Sequence, residues 1–108
     1  MNRLTRLKSN CIQTLEECIY SCQQLIAAYK YSKDMERCVA LAQQSLDFCV
    51  DCLDACESAQ FDRGIKMRKC LEFCLSLKKE CEKYRGEKFE ACSEACSLCI
   101  KELQMVLV

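Results

Sequence analysis

Cysteine residues recur at helical spacings along the whole chain. Residues three or four apart lie on one side of an α-helix, so a C-x3-C pair presents two thiols one turn apart. Thiolates are soft ligands that suit Cu(I), Zn(II) and iron–sulfur clusters. Helices that carry soft-metal ligands along one face are therefore predicted from four such pairs: Cys18–Cys22, Cys52–Cys56, Cys70–Cys74 and Cys92–Cys96.

The composition excludes several other kinds of chemistry. The 108 residues include 13 cysteines and no histidine, so the usual general base near neutral pH and the commonest metal ligand are both missing. No cysteine stands out as activated by a neighbouring base, and we therefore expect a protein that is not an enzyme. The 16 basic residues balance the 16 acidic ones. This zero net charge gives no electrostatic reason to expect binding to nucleic acid or to an anionic membrane.

The elements that position the thiols are predicted to be helices, because the chain has no proline and only two glycines. Ser32 and Asp62 are candidate N-caps, and Gly86 is a candidate helix stop. Short connections favour antiparallel neighbours. The expected fold is all-α, an antiparallel up-down-up-down four-helix bundle that forms a single domain over residues 1–108, with helices at about 3–30, 33–59, 63–84 and 87–106.

The apolar stripes of these helices place the cysteines toward the bundle axis. On helix one the stripe begins at Leu4 and Leu7, and on helix two Ser45 occupies a position on the inward line. With a rise of about 1.5 Å per residue, the thiols form a column with no vertical gap above about 6 Å. Leucine or isoleucine would fill a core better, so stability alone does not explain this column. Its members are Cys11, Cys18, Cys22, Cys38, Cys49, Cys52, Cys56, Cys70, Cys74, Cys81, Cys92, Cys96 and Cys99.

Three kinds of soft-metal site place different demands on such a column. Structural zinc needs closed groups of four ligands, and iron–sulfur clusters need loop-borne spacings that this chain lacks. Cu(I) accepts two or three sulfurs, and each thiolate can bridge two ions, which gives an upper bound on the order of 13 Cu(I) per chain. One thiolate per Cu(I) is also electrically neutral, which avoids burying bare charge. A zinc or soft-metal thiolate buffer and a disulfide-stapled helical protein remain the alternatives.

The cellular location is predicted from what the sequence lacks. Its first residues contain no apolar stretch of signal-peptide length, and no segment approaches the ~18 apolar residues of a membrane helix. The odd number of cysteines also opposes a secreted disulfide scaffold. We therefore expect a cytoplasmic protein without a membrane partner.

The chain resembles the four-helix-bundle copper storage proteins, specifically the cytosolic bacterial type. The resemblance covers nearly the whole chain and rests on the C-x3-C pairs, which are extended to C-x2-C-x3-C over residues 49–56 and to C-x3-C-x2-C over residues 92–99. It implies a bundle that folds without metal, holds many Cu(I) ions in its core and serves storage or detoxification. It also implies a homo-oligomer, a tetramer in many relatives.

Methionine thioethers are the other soft ligands in the sequence, and Met35, Met67 and Met105 are candidate ligands near the bundle ends. By resemblance, the end formed by the first and third connections is the mouth through which metal enters. Relatives often carry histidines there, and this chain has none. At that end we expect four aromatic residues to pack: Tyr29, Tyr31, Tyr84 and Phe89.

Overall fold

Four long helices account for most of the structure, a computed structural model that describes residues 3–58 and 60–107, with side chains from residue 10 onward. The helices are α1 (Arg3–Tyr29), α2 (Glu36–Glu57), α3 (Arg63–Cys81) and α4 (Glu87–Leu107), and a 3₁₀ turn, Lys33–Met35, precedes α2. No strand occurs in these described ranges. The predicted all-α fold is therefore confirmed.

The helices enclose one common axis. α1 packs against α2 and α4, and α3 packs against the same two helices, so each helix has two neighbours around a ring. The connections are short, and successive helices therefore run in opposite directions. The bundle measures 45 × 21 × 20 Å. Its long dimension agrees with the length of about 40 Å expected for the 27 residues of α1.

The start of α2 differs from the prediction. Ser32 was expected to cap this helix, but its side chain makes no capping hydrogen bond within the described part of the chain. Its carbonyl instead accepts the Met35 N–H at 3.1 Å, which closes the 3₁₀ turn and delays α2 to Glu36. Asp62 does lie directly before α3, yet it too acts through its backbone carbonyl, which accepts the Ile65 N–H at 3.1 Å.

The end of α3 also comes earlier than predicted. The helix stops at Cys81 because the next N–H groups turn back onto nearer carbonyls: Lys83 donates to Glu80 and Tyr84 to Cys81, each at 3.2 Å. Gly86 has a φ of 139°, which disfavours a side chain, but it does not end α3. Its carbonyl accepts the Glu90 N–H at 3.0 Å and so begins α4.

The core also contains ordinary apolar residues that hold the helices together. Leu15, Leu25, Leu77 and Leu103 have no exposed side-chain surface, and burial of each leucine stabilises the fold by about 1.5–3 kcal/mol. Partly buried isoleucines and leucines pack around them. Among the described helices, none is long and apolar enough to cross a membrane. The predicted end of helix two at residue 59 and the side chains of Leu4 and Leu7 lie outside the described residues.

Candidate metal centre

All thirteen cysteine side chains lie inside the bundle, with 0–3% of their surface exposed. Each helix supplies three or four, because the C-x3-C pairs and the more distant cysteines follow the 3.6-residue period that keeps one face toward the axis. None of the thirteen, all of which lie in the described part of the chain, forms a disulfide. α1 contributes Cys11, Cys18 and Cys22, α2 contributes Cys38, Cys49, Cys52 and Cys56, α3 contributes Cys70, Cys74 and Cys81, and α4 contributes Cys92, Cys96 and Cys99.

The shortest sulfur–sulfur distances lie at the middle of the column. The Sγ atoms of Cys49 and Cys70 are 3.5 Å apart, across α2 and α3. Cys74 Sγ lies 3.9 Å from Cys49 Sγ, 4.0 Å from Cys70 Sγ and 3.9 Å from Cys18 Sγ. Cys18 Sγ is in turn 3.9 Å from Cys96 Sγ on α4. Sulfurs from all four helices therefore converge at this level.

Two groups of three sulfurs have the spacing that a soft metal ion requires. In each group the three Sγ atoms lie within 4.8 Å of one another, and Cys74 belongs to both groups: Cys18, Cys74 and Cys96, and Cys49, Cys70 and Cys74. With metal–thiolate bonds of about 2.3 Å, a planar three-coordinate ion needs sulfurs about 4.0 Å apart, and a linear two-coordinate ion needs about 4.6 Å. Small side-chain rotations are enough to meet either requirement. The donor set is therefore suited to thiophilic ions that share sulfurs.

Thiol contacts continue from this middle level toward both ends of the column. Toward the end that contains the α2–α3 connection, Cys70 interacts with Cys52, and Cys56 interacts with both Cys52 and Cys11. Toward the opposite end, which contains the 3₁₀ turn, the thiol of Cys18 interacts with that of Cys22, and Cys22 interacts with Cys92. Cys92 in turn interacts with Cys81, and Cys81 interacts with Cys38.

Contact between buried thiols also changes their acidity. Interaction with Cys56, reinforced by burial, raises the pKa of the Cys11 thiol above its ordinary value. The same Cys56 thiol raises the pKa of Cys52 to about 12. Interaction with Cys22 and with three further thiols outweighs burial and lowers the pKa of Cys18. An ion that binds to these thiols must displace their protons.

The candidate methionines differ in their placement. Met67 is buried, with 6% of its surface exposed, and lies one turn before Cys70 on the cysteine-bearing face of α3. Met35 is half-buried and packs against the core cluster near Cys38. Met105 is 44% exposed, which is a poor position for a ligand of a buried column.

Ser45 lies on the inward line of α2, as its position in the sequence predicts, and it is fully buried. Its hydroxyl donates a hydrogen bond to the Phe73 carbonyl at 3.1 Å. The hydroxyl is therefore already engaged with the backbone of α3.

Aromatic rings pack at the end that contains the 3₁₀ turn. Phe89 stacks on Tyr29 and on Tyr84, with ring centroids 4.7 and 5.0 Å apart. Three of the four expected aromatic residues thus lie together. Tyr31 does not join them: it is exposed, and the Lys30 ammonium lies 5.0 Å from its ring centroid.

Glu80 is a buried charged residue that the sequence interpretation missed. Its carboxylate accepts hydrogen bonds from Arg37 at 3.1 Å, from Lys83 at 3.0 Å and from the Tyr84 hydroxyl at 3.0 Å. Burial raises the pKa of Glu80, but these three donors outweigh burial and hold the pKa below its ordinary value. Because Cys81 follows Glu80 directly, the carboxylate ties α2 to α3 beside the last thiols of the column. In the sequence Glu80 ends the charged run KKE, a pattern typical of a solvated surface, so its burial could not be predicted.

The fold and the thiol column together define a helical bundle whose interior can bind soft metal ions. Comparison with known proteins agrees with this class. The sequence profile of the copper storage protein family matches residues 4–108, and the chain therefore belongs to that family. A solved structure described as Cu(I)-bound Copper Storage Protein BsCsp3 matches 94% of this chain and 99% of its own, with a TM-score of 0.88 and 19% sequence identity. At that identity the match establishes the fold. No curated protein sequence matches the chain.

Proposed function

We propose that the chain binds and stores multiple Cu(I) ions through the thiolates of its thirteen core cysteines. The observation that carries the proposal is the series of buried thiols in contact along the bundle, with sulfur–sulfur distances of 3.5–4.0 Å at its centre. These distances allow neighbouring ions to share sulfurs. Membership of the copper storage protein family supports a binding role instead of catalysis.

The chemistry of loading follows from the burial of the column. Each thiol loses its proton as Cu(I) binds, and one thiolate per Cu(I) leaves the interior neutral. Neutrality matters because an unpaired charge inside a bundle carries a large desolvation penalty. With every sulfur bridging two ions, the capacity approaches about 13 ions per chain. Met35 and Met67 supply thioether sulfurs at opposite ends of the column; Met67 is buried and Met35 is half-buried.

The thiol column also favours a particular cellular location for the protein. Cysteines remain reduced in the cytoplasm and oxidise in secreted proteins, and Cu(I) storage needs the thirteen side chains as thiols. We therefore propose a cytoplasmic store. Self-association, with a tetramer as the implied assembly, is part of the same proposal and is measured by light scattering after size-exclusion chromatography. Exposed Tyr20 and Val50 offer apolar contact surface for it.

Anaerobic titration of the reduced protein with Cu(I), against the competing chelator bathocuproine disulfonate, tests the proposal. The expected result is tight uptake of about ten or more ions per chain, with nearly thirteen titratable thiols before metal is added. A parallel titration with Zn(II) is the control. Saturation with Cu(I) at three or four ions, and equal preference for Zn(II), would instead indicate a zinc-type thiolate buffer with closed sites. Loss of most thiols without reductant would indicate the disulfide-stapled alternative.

A further inference from the structure

Toward the end that contains the 3₁₀ turn, the neighbouring helices α2 and α3 both interrupt the thiol column. On α2, Cys38 and Cys49 are eleven positions apart, about 16 Å along the helix axis, and the inward residues between them are Ala42 and Ser45. On α3, Leu77 occupies the inward position between Cys74 and Cys81. Ala42, Ser45 and Leu77 are all fully buried, so they fill the space that thiols occupy elsewhere in the column. We call these three residues the divider.

The divider offers no alternative ligand. Alanine and leucine have no donor atom, and the Ser45 hydroxyl donates its proton to the Phe73 carbonyl. A serine oxygen is also a hard ligand, whereas Cu(I) prefers soft sulfur. An ion therefore finds no sulfur between Cys38 and Cys49 on α2, or between Cys74 and Cys81 on α3.

The other two helices do carry sulfur past the divider. Cys18 and Cys22 on α1 are one turn apart and interact, as do Cys92 and Cys96 on α4. Cys22 and Cys92 also interact across the two helices. The described structure therefore connects the two parts of the column only along the α1–α4 side.

We infer that the column is two Cu(I) compartments joined by sulfur only along the α1–α4 side of the bundle. This inference rests on the proposed storage function. The end compartment has four thiols, Cys22, Cys38, Cys81 and Cys92, and lies beside the Glu80 carboxylate and the aromatic rings. The main compartment has nine thiols: Cys11, Cys18, Cys49, Cys52, Cys56, Cys70, Cys74, Cys96 and Cys99.

The division has a kinetic consequence. Within each compartment an ion moves between sulfurs on several helices, but passage between compartments uses only the α1–α4 path. Removal of Cu(I) by excess chelator is therefore expected to occur in two phases. Native mass spectrometry during removal is expected to show an accumulating species that retains about nine ions if the end compartment empties first, or about four if the main compartment does.

Two variants add sulfur to the divider on separate helices. The double variant Ala42→Cys/Ser45→Cys places thiols on α2 at one-turn spacings between Cys38 and Cys49, and Leu77→Met places a thioether on α3 between Cys74 and Cys81 with nearly unchanged volume. Each is expected to merge the two phases into one and to remove the intermediate species. Ser45→Ala, which loses the same hydrogen bond without adding sulfur, and Ser76→Cys, which adds a thiol on an exposed position of α3, are expected to keep both phases.

The outcomes separate this inference from the proposed function. A protein that binds about ten or more Cu(I) ions and releases them in one phase, with no intermediate of about nine or four ions, would overturn the two-compartment inference and leave storage intact. Two phases that persist unchanged in both Ala42→Cys/Ser45→Cys and Leu77→Met, with helical content preserved, would overturn it as well. Saturation at only three or four ions in the titration would instead contradict the proposed storage function itself.

Discussion

Replacing Cys74 by alanine tests whether Cu(I) ions share sulfurs as the geometry of the column requires. Cys74 Sγ lies within 4.0 Å of the sulfurs of Cys18, Cys49 and Cys70, and it completes both three-sulfur groups. Cys38 provides the matched comparison. It is equally buried but lies at the end of the column, where its principal thiol contact is Cys81.

The expected magnitude follows from the number of neighbouring sulfurs. If each sulfur bridges at most two ions, removal of Cys74, which has several neighbouring sulfurs, eliminates about two binding positions, whereas removal of Cys38, which has one principal thiol contact, eliminates about one. We therefore expect capacity to fall by about two ions in Cys74→Ala and by about one ion in Cys38→Ala. Loss of a single sulfur atom from the core costs about 1 kcal/mol of unfolding free energy, which the apolar core tolerates.

The assay is an anaerobic Cu(I) titration of both variants against bathocuproine disulfonate, followed by metal analysis of the desalted protein. Circular dichroism of the metal-free variants checks that helical content is unchanged. An equal loss of one ion from each variant would show that capacity depends on the number of thiols alone. The reasoning from shared sulfurs at Cys74 would then be refuted.

The remaining predictions concern the metal-free fold, protons and core packing. The apo-protein is expected to remain helical by circular dichroism, and its melting temperature should rise with Cu(I) loading because metal binds the folded state; apo-protein that is unfolded would contradict this. Uptake should release about one proton per Cu(I) and weaken as pH falls, as measured in lightly buffered solution with a pH indicator; uptake independent of pH would count against thiolate ligands. Leu77→Ala should lower the free energy of unfolding by about 2–5 kcal/mol in urea, because it leaves a cavity, whereas Leu75→Ala on the exposed side of α3 should change it little. Glu80→Gln should reduce the stability of the apo-protein at neutral pH. Because the pKa of Glu80 is lowered in the folded state, the ionised carboxylate stabilises the fold above its ordinary pKa of about 4.3, and this stabilisation is lost as pH falls through the folded pKa. The unfolding free energies of wild type and variant, measured by urea denaturation, should therefore converge in acid.

The sequence alone determined the helices and the face that each directs inward. A period of 3.6 residues relates spacing directly to a side of a helix, so the stripes of cysteine predicted the buried thiols and the bundle with few alternatives. The absence of histidine and the softness of sulfur then limited the metal to a short list. Ser32, Asp62 and Gly86 located the three connections to within a few residues.

Tertiary structure decided which sulfurs meet. Periodicity fixes the face of one helix but not its axial shift or rotation against the next, so the 3.5 Å approach of Cys49 and Cys70 could not be read from spacing. The same reason applies to Glu80, whose burial depends on Arg37 of α2 coming within 3.1 Å of it. The exact helix ends also had to come from the structure, because they depend on local backbone hydrogen bonds. The Ser32 carbonyl closes a 3₁₀ turn where its side chain was expected to cap α2, and α3 ends at Cys81. Spacing placed thirteen thiols on the right faces, and packing set the distances between them.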